Sequence, residues 1–258
     1  KQKTAYEIVD CDWSSDVCSS DLAPAPSELQ GHGAAPRGSL RSEIAAGVRY
    51  VFRNPALRTI GAATATSNLF STMANTLLFL FAIQELHLSE ALIGLSFTIS
   101  GIGGLAAAAT ADRISRRLGV GRTILYMAPL AGPFLALVAI GQPDVTVLNV
   151  ALVAASGFTG LASGTIYNIN QVSLRQAIPP EPMQGRMNAT MRWFVWGTIP
   201  IGALLGGVLG EVIGIRATIA LGGALSTLAF VPLLFGPVPA VREMPTGPDD
   251  AQGLDVSR

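Results

Sequence analysis

The chain has 258 residues, of which 50% are hydrophobic and 13% charged, with a formal net charge of zero. Soluble domains carry about 25% charged residues, so the composition argues against an ordinary soluble enzyme. The 28 glycines and 16 prolines sit inside apolar stretches, which separates them from the polar Gly/Pro tracts of disordered chains. The length suits one or two soluble domains or about six membrane-spanning helices with short loops.

Residues 1–22 (KQKTAYEIVDCDWSSDVCSSDL) are polar, aperiodic and unlike everything after them. They resemble a translated short-read sequencing adapter. Lys1 to Ile8 matches one end of the oligonucleotide, Asp12 to Leu22 the other, and residues 9–11 fall where a variable index sits. Such a scar is set aside in reasoning about fold. Both cysteines, Cys11 and Cys18, and both lysines, Lys1 and Lys3, go with it, leaving 15 arginines against 12 acidic residues and a net charge of +3. A disulfide framework or thiolate metal site then has no cysteine, and a Walker-type phosphate loop has no lysine. The chain is expected to begin within a longer protein. Residues 23–41, rich in Pro, Gly, Ala and Ser, read as a flexible cytoplasmic linker. Ser42 to Phe52 places Ile44, Val48 and Val51/Phe52 at helical spacing with Arg49 and Arg53 between them. This fits either an amphipathic helix on the inner leaflet or the frayed start of the first span.

A bilayer core about 30 Å thick requires roughly 20 apolar residues in a helix. Six runs meet this, at about residues 59–84, 91–111, 123–141, 145–170, 193–210 and 217–236, within a transmembrane domain over 42–238. The fold class is therefore all-α, a six-helix membrane bundle, followed by a polar tail over 239–258 read as disordered. Arginines before, between and after the runs number 5, 0, 4, 0, 3, 1 and 2. Arg-rich loops stay cytoplasmic, so a multi-pass protein of the plasma membrane with both termini on the cytoplasmic side is expected, with the lipid bilayer as surrounding partner. Lipid supplies no hydrophobic force between helices, so small residues must let them approach. Gly202, Gly206, Gly210 and Gly214 recur every four residues, flanked by Ala203 and Gly207, and Gly157, Gly160 and Gly164 form a second stripe. Pro129, Pro133 and Pro200 remove backbone hydrogen bonds and predict kinks, whether hinges or fixed bends.

These features together resemble the C-terminal half of a major facilitator superfamily transporter. Asp112, Arg113, Arg116 and Arg117 match the family's inner-loop pattern Gly-x-x-x-Asp-Arg-x-Gly-Arg-Arg, with Ala108 and Ser115 at its two glycine positions. Gly197 to Gly202 around Pro200, with Gly206-Gly207 beyond, is similar to the Gly/Pro helix-packing motif of the drug exporters. Residues 42–57 and 178–189 resemble inner loops of the bacterial drug- and siderophore-efflux branch. The resemblance implies twelve helices in two halves around a central cavity, with an N-terminal six-helix half as a missing partner.

It further implies that Asp112 and Arg116 pair near a facing helix N-terminus as a gating latch; the alternative is a solvated charged loop. It implies a cavity lined from the first and fourth spans. The first span offers Asn68, Asn75, Thr76 and Gln84, of which Asn68 and Asn75 lie seven apart on one face. The fourth offers Asn149, Ser156, Thr159, Ser163, Tyr167, Asn168 and Asn170, of which Ser156, Thr159, Ser163 and Asn170 share a face. Hydrogen bonding between helices is the competing role. Trp193 and Trp196 read as interfacial anchors or as stacking residues, with Arg192 snorkelling beside them. No carboxylate or histidine lies deep in a span, so a proton-coupling acid belongs to the missing half or to Asp112, Glu85 or Glu211 near the ends. No catalytic constellation, metal set, cofactor or nucleic-acid partner is expected. The resulting expectation is a proton-coupled exporter of small amphipathic molecules. The rivals are the membrane half of an ATP-driven exporter, which would carry helices far into the cytoplasm, and a non-transporting membrane assembly or pore.

Overall fold

The computed structural model describes residues 40–143 and 145–244. The adapter-like segment, the linker up to residue 39 and residues 245–258 of the tail lie outside the described residues. Helix α1 covers Leu40–Arg53, α2 Pro55–Gln84, α3 Glu90–Leu118 and α4 Val120–Leu137, the last continuing through a 3-10 turn, Val138–Ile140. Next come α5 (Thr146–Ala177), α6 (Glu181–Val212) and α7 (Ile215–Thr227). A 3-10 turn, Leu228–Phe230, joins α7 to the short α8 (Val231–Leu234), and a last 3-10 turn covers Val238–Ala240. No strand occurs among the described residues. Six helices are long and apolar enough to cross a bilayer, α7 counting with the turns that follow it to Leu234.

Helix α1 is an element of its own. Asn54 stops it and caps α2, its side-chain oxygen accepting from the Leu57 N–H at 3.0 Å, with Pro55 at the first helical position. Both choices suit a helix start, because the first N–H groups lack intrahelical partners.

The sequence boundaries fall short at one end of the bundle. Helix α3 runs on through Asp112–Arg117 to Leu118, α5 reaches Ala177, and α6 begins twelve residues before Trp193. Hydropathy locates what lipid requires, whereas helical hydrogen bonds persist in polar turns outside it. All these extensions lie at the Arg-rich end.

Each helix packs on particular neighbours. Going around the bundle, α3 lies on α5, α5 on α4, α4 on α7, α7 on α2 and α2 on α6. Small residues set the close crossings. A Cβ on Gly202 or Gly206 would run into the carbonyls of Leu69 and Met73, and one on Gly210 into Leu77 Cδ1 at 2.9 Å. Gly207 points away, with nothing within 4 Å, and Gly214 lies past the end of α6 at φ +89°, where it turns the chain into α7. The four-residue stripe therefore ends at Gly210. Gly222 and Gly223, not singled out from the sequence, wedge α7 between two helices. The first meets Ala74 and Phe70 of α2, the second the Ala136 backbone of α4.

Two apolar clusters mark the two ends. At the Arg-rich end Val51, Leu57, Ile60, Ile124, Leu174, Met187, Met191 and Leu233 are buried together, with Val238 and Val241. At the other end Leu77, Phe81, Leu86, Ile93, Val138, Val153 and Ile219 form the second. Of the tail read as disordered from 239 onward, residues 239–244 are described, and Val241 among them is buried in the first cluster. The chain folds back over the start of α4, where the Gly121 N–H donates to Val241 O at 2.9 Å and Val120 N–H to Arg242 O at 3.2 Å. The orphan N–H groups of a helix start thus find partners in the tail.

Candidate functional site

Between the two clusters lies a cleft of about 690 Å³. Helix α2 contributes Ser67, Asn68, Ser71, Asn75 and Phe79; α3 contributes Ser96, Phe97 and Ser100; α4 contributes Met127, Ala131 and Leu135. Helix α5 adds Ser156, Gly157, Gly160, Leu161, Ser163, Gly164 and Tyr167, and Ser226 of α7 completes the base. The lining holds hydroxyls, carboxamides, aromatic rings and bare backbone, and no carboxylate, arginine or histidine. Phe79 and Phe97 are 56% and 62% exposed, so the lining is accessible at their level. Toward the Arg-rich end a hydrogen bond spans it, Thr64 Oγ1 to Tyr167 Oη at 2.7 Å. Thr64 commits its one proton to Ile60 O at 2.8 Å, so the Tyr167 hydroxyl is the donor.

Five of the sequence candidates, Asn68, Asn75, Ser156, Ser163 and Tyr167, line this cleft. Asn68 also donates to Val195 O of α6 at 3.2 Å, and Asn75 to Ser71 O in its own helix at 2.8 Å. Thr76, Thr159 and Asn170 do not line it. At 100° per residue Thr76 stands roughly 110° from the middle of the α2 cleft face, and its hydroxyl donates to Thr72 O at 2.8 Å. Thr159 is turned off the α5 face by a similar angle and donates to Ala155 O at 2.7 Å. Asn170 is buried against α3, where the Ser115 hydroxyl donates to its Oδ1 at 2.6 Å. Asn149, a further fourth-span candidate, is wholly buried at the Arg-poor end, where it receives from Gln142 N–H and donates to Gln142 O.

The reason lies in how α5 is oriented. Its serine–threonine–asparagine face is the packing face, and only its edge reaches the cleft. The cleft instead meets the neighbouring glycine face. Gly160 and Gly164, read from sequence as a packing stripe, have no atom within 4 Å of an added Cβ; only Gly157 packs, on Ser100. Ser71 was legible, since it continues the Asn68–Asn75 face by a step of three. The lining from α3 and α4 carried no sequence signal beyond scattered serines.

At the Arg-rich end Asp112 and Arg116 pair at 2.7 Å, but within one helix turn of α3 and with both side chains 74% exposed. Arg113 and Arg117 are exposed as well. Among the described residues no helix N-terminus receives the Asp112 carboxylate. Trp193 is 84% exposed, and Arg192 lies over the ring of Trp196 at 5.0 Å. Pro200 is exposed within α6.

At the Arg-poor end stands an arrangement the sequence reading passed over. Arg216 donates to Ala139 O at 2.7 Å and Gly141 O at 2.6 Å, pairs with Glu85 at 3.2 Å, and lies 5.1 Å from the centre of the Phe81 ring. One guanidinium thus closes the end of α4 and ties α2 to α7. The signal was its position, as the single arginine in an otherwise arginine-free set of connections. Among the described residues no group of three or more His, Cys, Asp or Glu could hold a metal ion.

A family model, the Major Facilitator Superfamily, matches residues 35–255. The chain is 28% identical over 233 residues to the multidrug efflux pump Tap of Mycolicibacterium fortuitum, covering 88% of this chain and 54% of that protein. It is 28% identical over 186 residues to the enterobactin exporter EntS of Citrobacter koseri, covering 70% of this chain and 43% of the relative. The chain spans about half the length of these relatives. No solved structure matches it.

Proposed function

The chain belongs to the Major Facilitator Superfamily, and on that premise we propose that it forms one half of a proton-coupled exporter of small amphipathic molecules. The cleft carries this reading. Its hydroxyls and carboxamides offer hydrogen bonds, its phenylalanines and leucines offer apolar surface, and it holds no fixed charge, a combination suited to ligands of mixed polarity. The two relatives, named for multidrug efflux and enterobactin export, point the same way.

In this proposal a second six-helix half faces the cleft, and the halves rock to expose it to either side of the plasma membrane. The Arg-rich end faces the cytoplasm, with both chain termini there. Asn68, Asn75, Ser156 and Ser163 contact substrate. The Tyr167–Thr64 bond narrows the cytoplasmic end, and Asp112 with Arg116 biases the rocking equilibrium through the facing half. An exposed ion pair contributes about 0–1 kcal/mol, enough to tilt a nearly balanced equilibrium. The proton-carrying acid belongs to the facing half. The family consists of transporters, and no enzymatic step is proposed.

The test is efflux of a fluorescent amphipathic dye from cells expressing the reading frame recovered together with its upstream genomic sequence. Efflux abolished by a protonophore is the expected result. Efflux that survives the protonophore and stops on ATP depletion overturns the coupling in favour of an ATP-driven exporter. Membrane insertion without any efflux favours a non-transporting assembly.

A further inference from the structure

A second, smaller recess of about 320 Å³ lies at the Arg-rich end, between α1 and the first turn of α6. Ala46, Arg49, Tyr50 and Arg53 line it from α1, with Asn54 at the helix junction and Met183 from α6. We infer that this recess binds the phosphate of an anionic phospholipid such as phosphatidylglycerol, seated by Arg49 and Arg53. The inference rests on the membrane placement of the six helices and is independent of what the cleft carries.

Three observations lead there. First, Arg49 and Arg53 stand one helical turn apart on the same side of α1, both exposed, and neither pairs with a carboxylate among the described residues. The acidic residue of α1, Glu43, is already engaged by Arg186 at 3.2 Å, so it does not neutralise them. Guanidinium groups present paired N–H donors that fit phosphate oxygens.

Second, the neighbouring strip of α1 is apolar and uncovered. Ile44, Val48 and Phe52 are 56%, 38% and 47% exposed, and at about 100° per residue they lie immediately beside the arginine strip. An acyl chain along the first strip puts its headgroup over the second. Free inorganic phosphate would use only the arginines and leave the apolar strip in water.

Third, α1 is held firmly enough to form a recess. Gly47 sits so close to α6 that a Cβ would strike Thr190 and the Arg186 carbonyl, Val51 is buried, and the Phe52 ring meets Phe194 edge-on at 5.9 Å. Phe194 and the exposed Trp193 and Trp196 extend the apolar strip onto α6. Basic recesses of this kind at a membrane surface suit anionic headgroups.

The experiment measures equilibrium binding of radiolabelled phosphatidylglycerol to the detergent-purified full chain, against phosphatidylcholine. The expected result is a clear preference for phosphatidylglycerol, reduced on the order of 30-fold in Arg49→Gln/Arg53→Gln, the loss that two surface arginines represent. Arg113→Gln/Arg117→Gln, which removes two exposed arginines of α3, keeps the preference. Ala46→Glu, which sets a carboxylate in the recess and spares both arginines, lowers it and decides the matter should the double variant aggregate. Equal binding of the two lipids overturns the proposal, as does a loss in the α3 variant equal to that in the α1 variant. Competition by millimolar inorganic phosphate assigns the recess to a free anion and overturns the lipid.

Discussion

Replacing Arg216 with Met separates two ways in which one side chain can hold the Arg-poor end together. The guanidinium makes two short bonds to the carbonyls that end α4 and a longer one to Glu85. Hydrogen bonds to a charged group are each worth about 1.5–3 kcal/mol. Arg216 is 40% exposed, so water takes over part of this when the group is lost, and about 2–3 kcal/mol for both carbonyl bonds is the reasonable share. The pair with Glu85, itself 33% exposed, adds about 0–1 kcal/mol. The total is about 3 kcal/mol, or roughly 6–12 °C in Tm at 2–4 °C per kcal/mol for a chain of this size. Heating the detergent-solubilised protein and following the monodisperse peak by size exclusion reads that shift. Glu85→Gln keeps both carbonyl bonds and is expected to cost under about 1 kcal/mol. If Glu85→Gln lowers Tm as far as Arg216→Met, the ion pair and not the helix-end capping holds the knot, and the reasoning fails.

The same assay applies to the glycine crossing. Gly206→Leu drives a side chain into the Met73 backbone and should abolish the folded peak or cost at least about 3 kcal/mol, while Gly207→Leu, facing open space, should leave it unchanged; equal effects would mean that α6 lies on α2 by another face. Asn170→Ala removes the bond from Ser115 and should lower stability by about 1 kcal/mol, in line with polar contacts between membrane helices, and an unshifted Tm would show that the contact is not made in the membrane. Gly160→Val should fold normally yet narrow the cleft, so that in a series of dyes of rising size the largest lose efflux first; loss uniform in size would place Gly160 outside the substrate path. Asp112→Asn should leave Tm unmoved, because its pair is exposed, while slowing efflux several-fold, and unaltered efflux would remove the latch from the mechanism.

The number of spans and their common end could be read from residues because both follow from the price of charge in hydrocarbon, which acts on composition alone. Helix ends could not, because a helix continues wherever its hydrogen bonds hold: Asp112–Arg117 and Arg186 read as loop by charge and are helical in fact. That continuation also weakens helix length beyond the membrane as a criterion against an ATP-driven exporter; the family match is what bears on that choice. Side-chain roles were the least legible. A stripe of Gly157, Gly160 and Gly164 has one spacing whether it faces a helix or a cavity, and the hydroxyl face beside it likewise. Only the rotation of α5 against α3 and α4 decides between them, and that rotation is a property of all three helices. On α2 the face of Asn68, Ser71 and Asn75 has a rival in Thr72 and Thr76, and only the packing of the helix shows that Thr76 stays off the cleft.

Arg216 shows why a broken rule can be more informative than an obeyed one. An unpaired arginine at the Arg-poor end opposes the insertion bias without return. Paired with Glu85 and two carbonyls, the same charge satisfies groups that lipid cannot, since the last carbonyls of α4 lack intrahelical partners. Its neighbour Asn149 does the same for the loop after α4. The two ends of the bundle are consequently closed by different forces, polar capping at one and a buried apolar cluster with the returning tail at the other. The space between them, where neither force acts, is lined by Gly160 and Gly164 and contains no fixed charge. In the mechanism proposed above, a bundle tied at both ends in this way would rock against the facing half as one body.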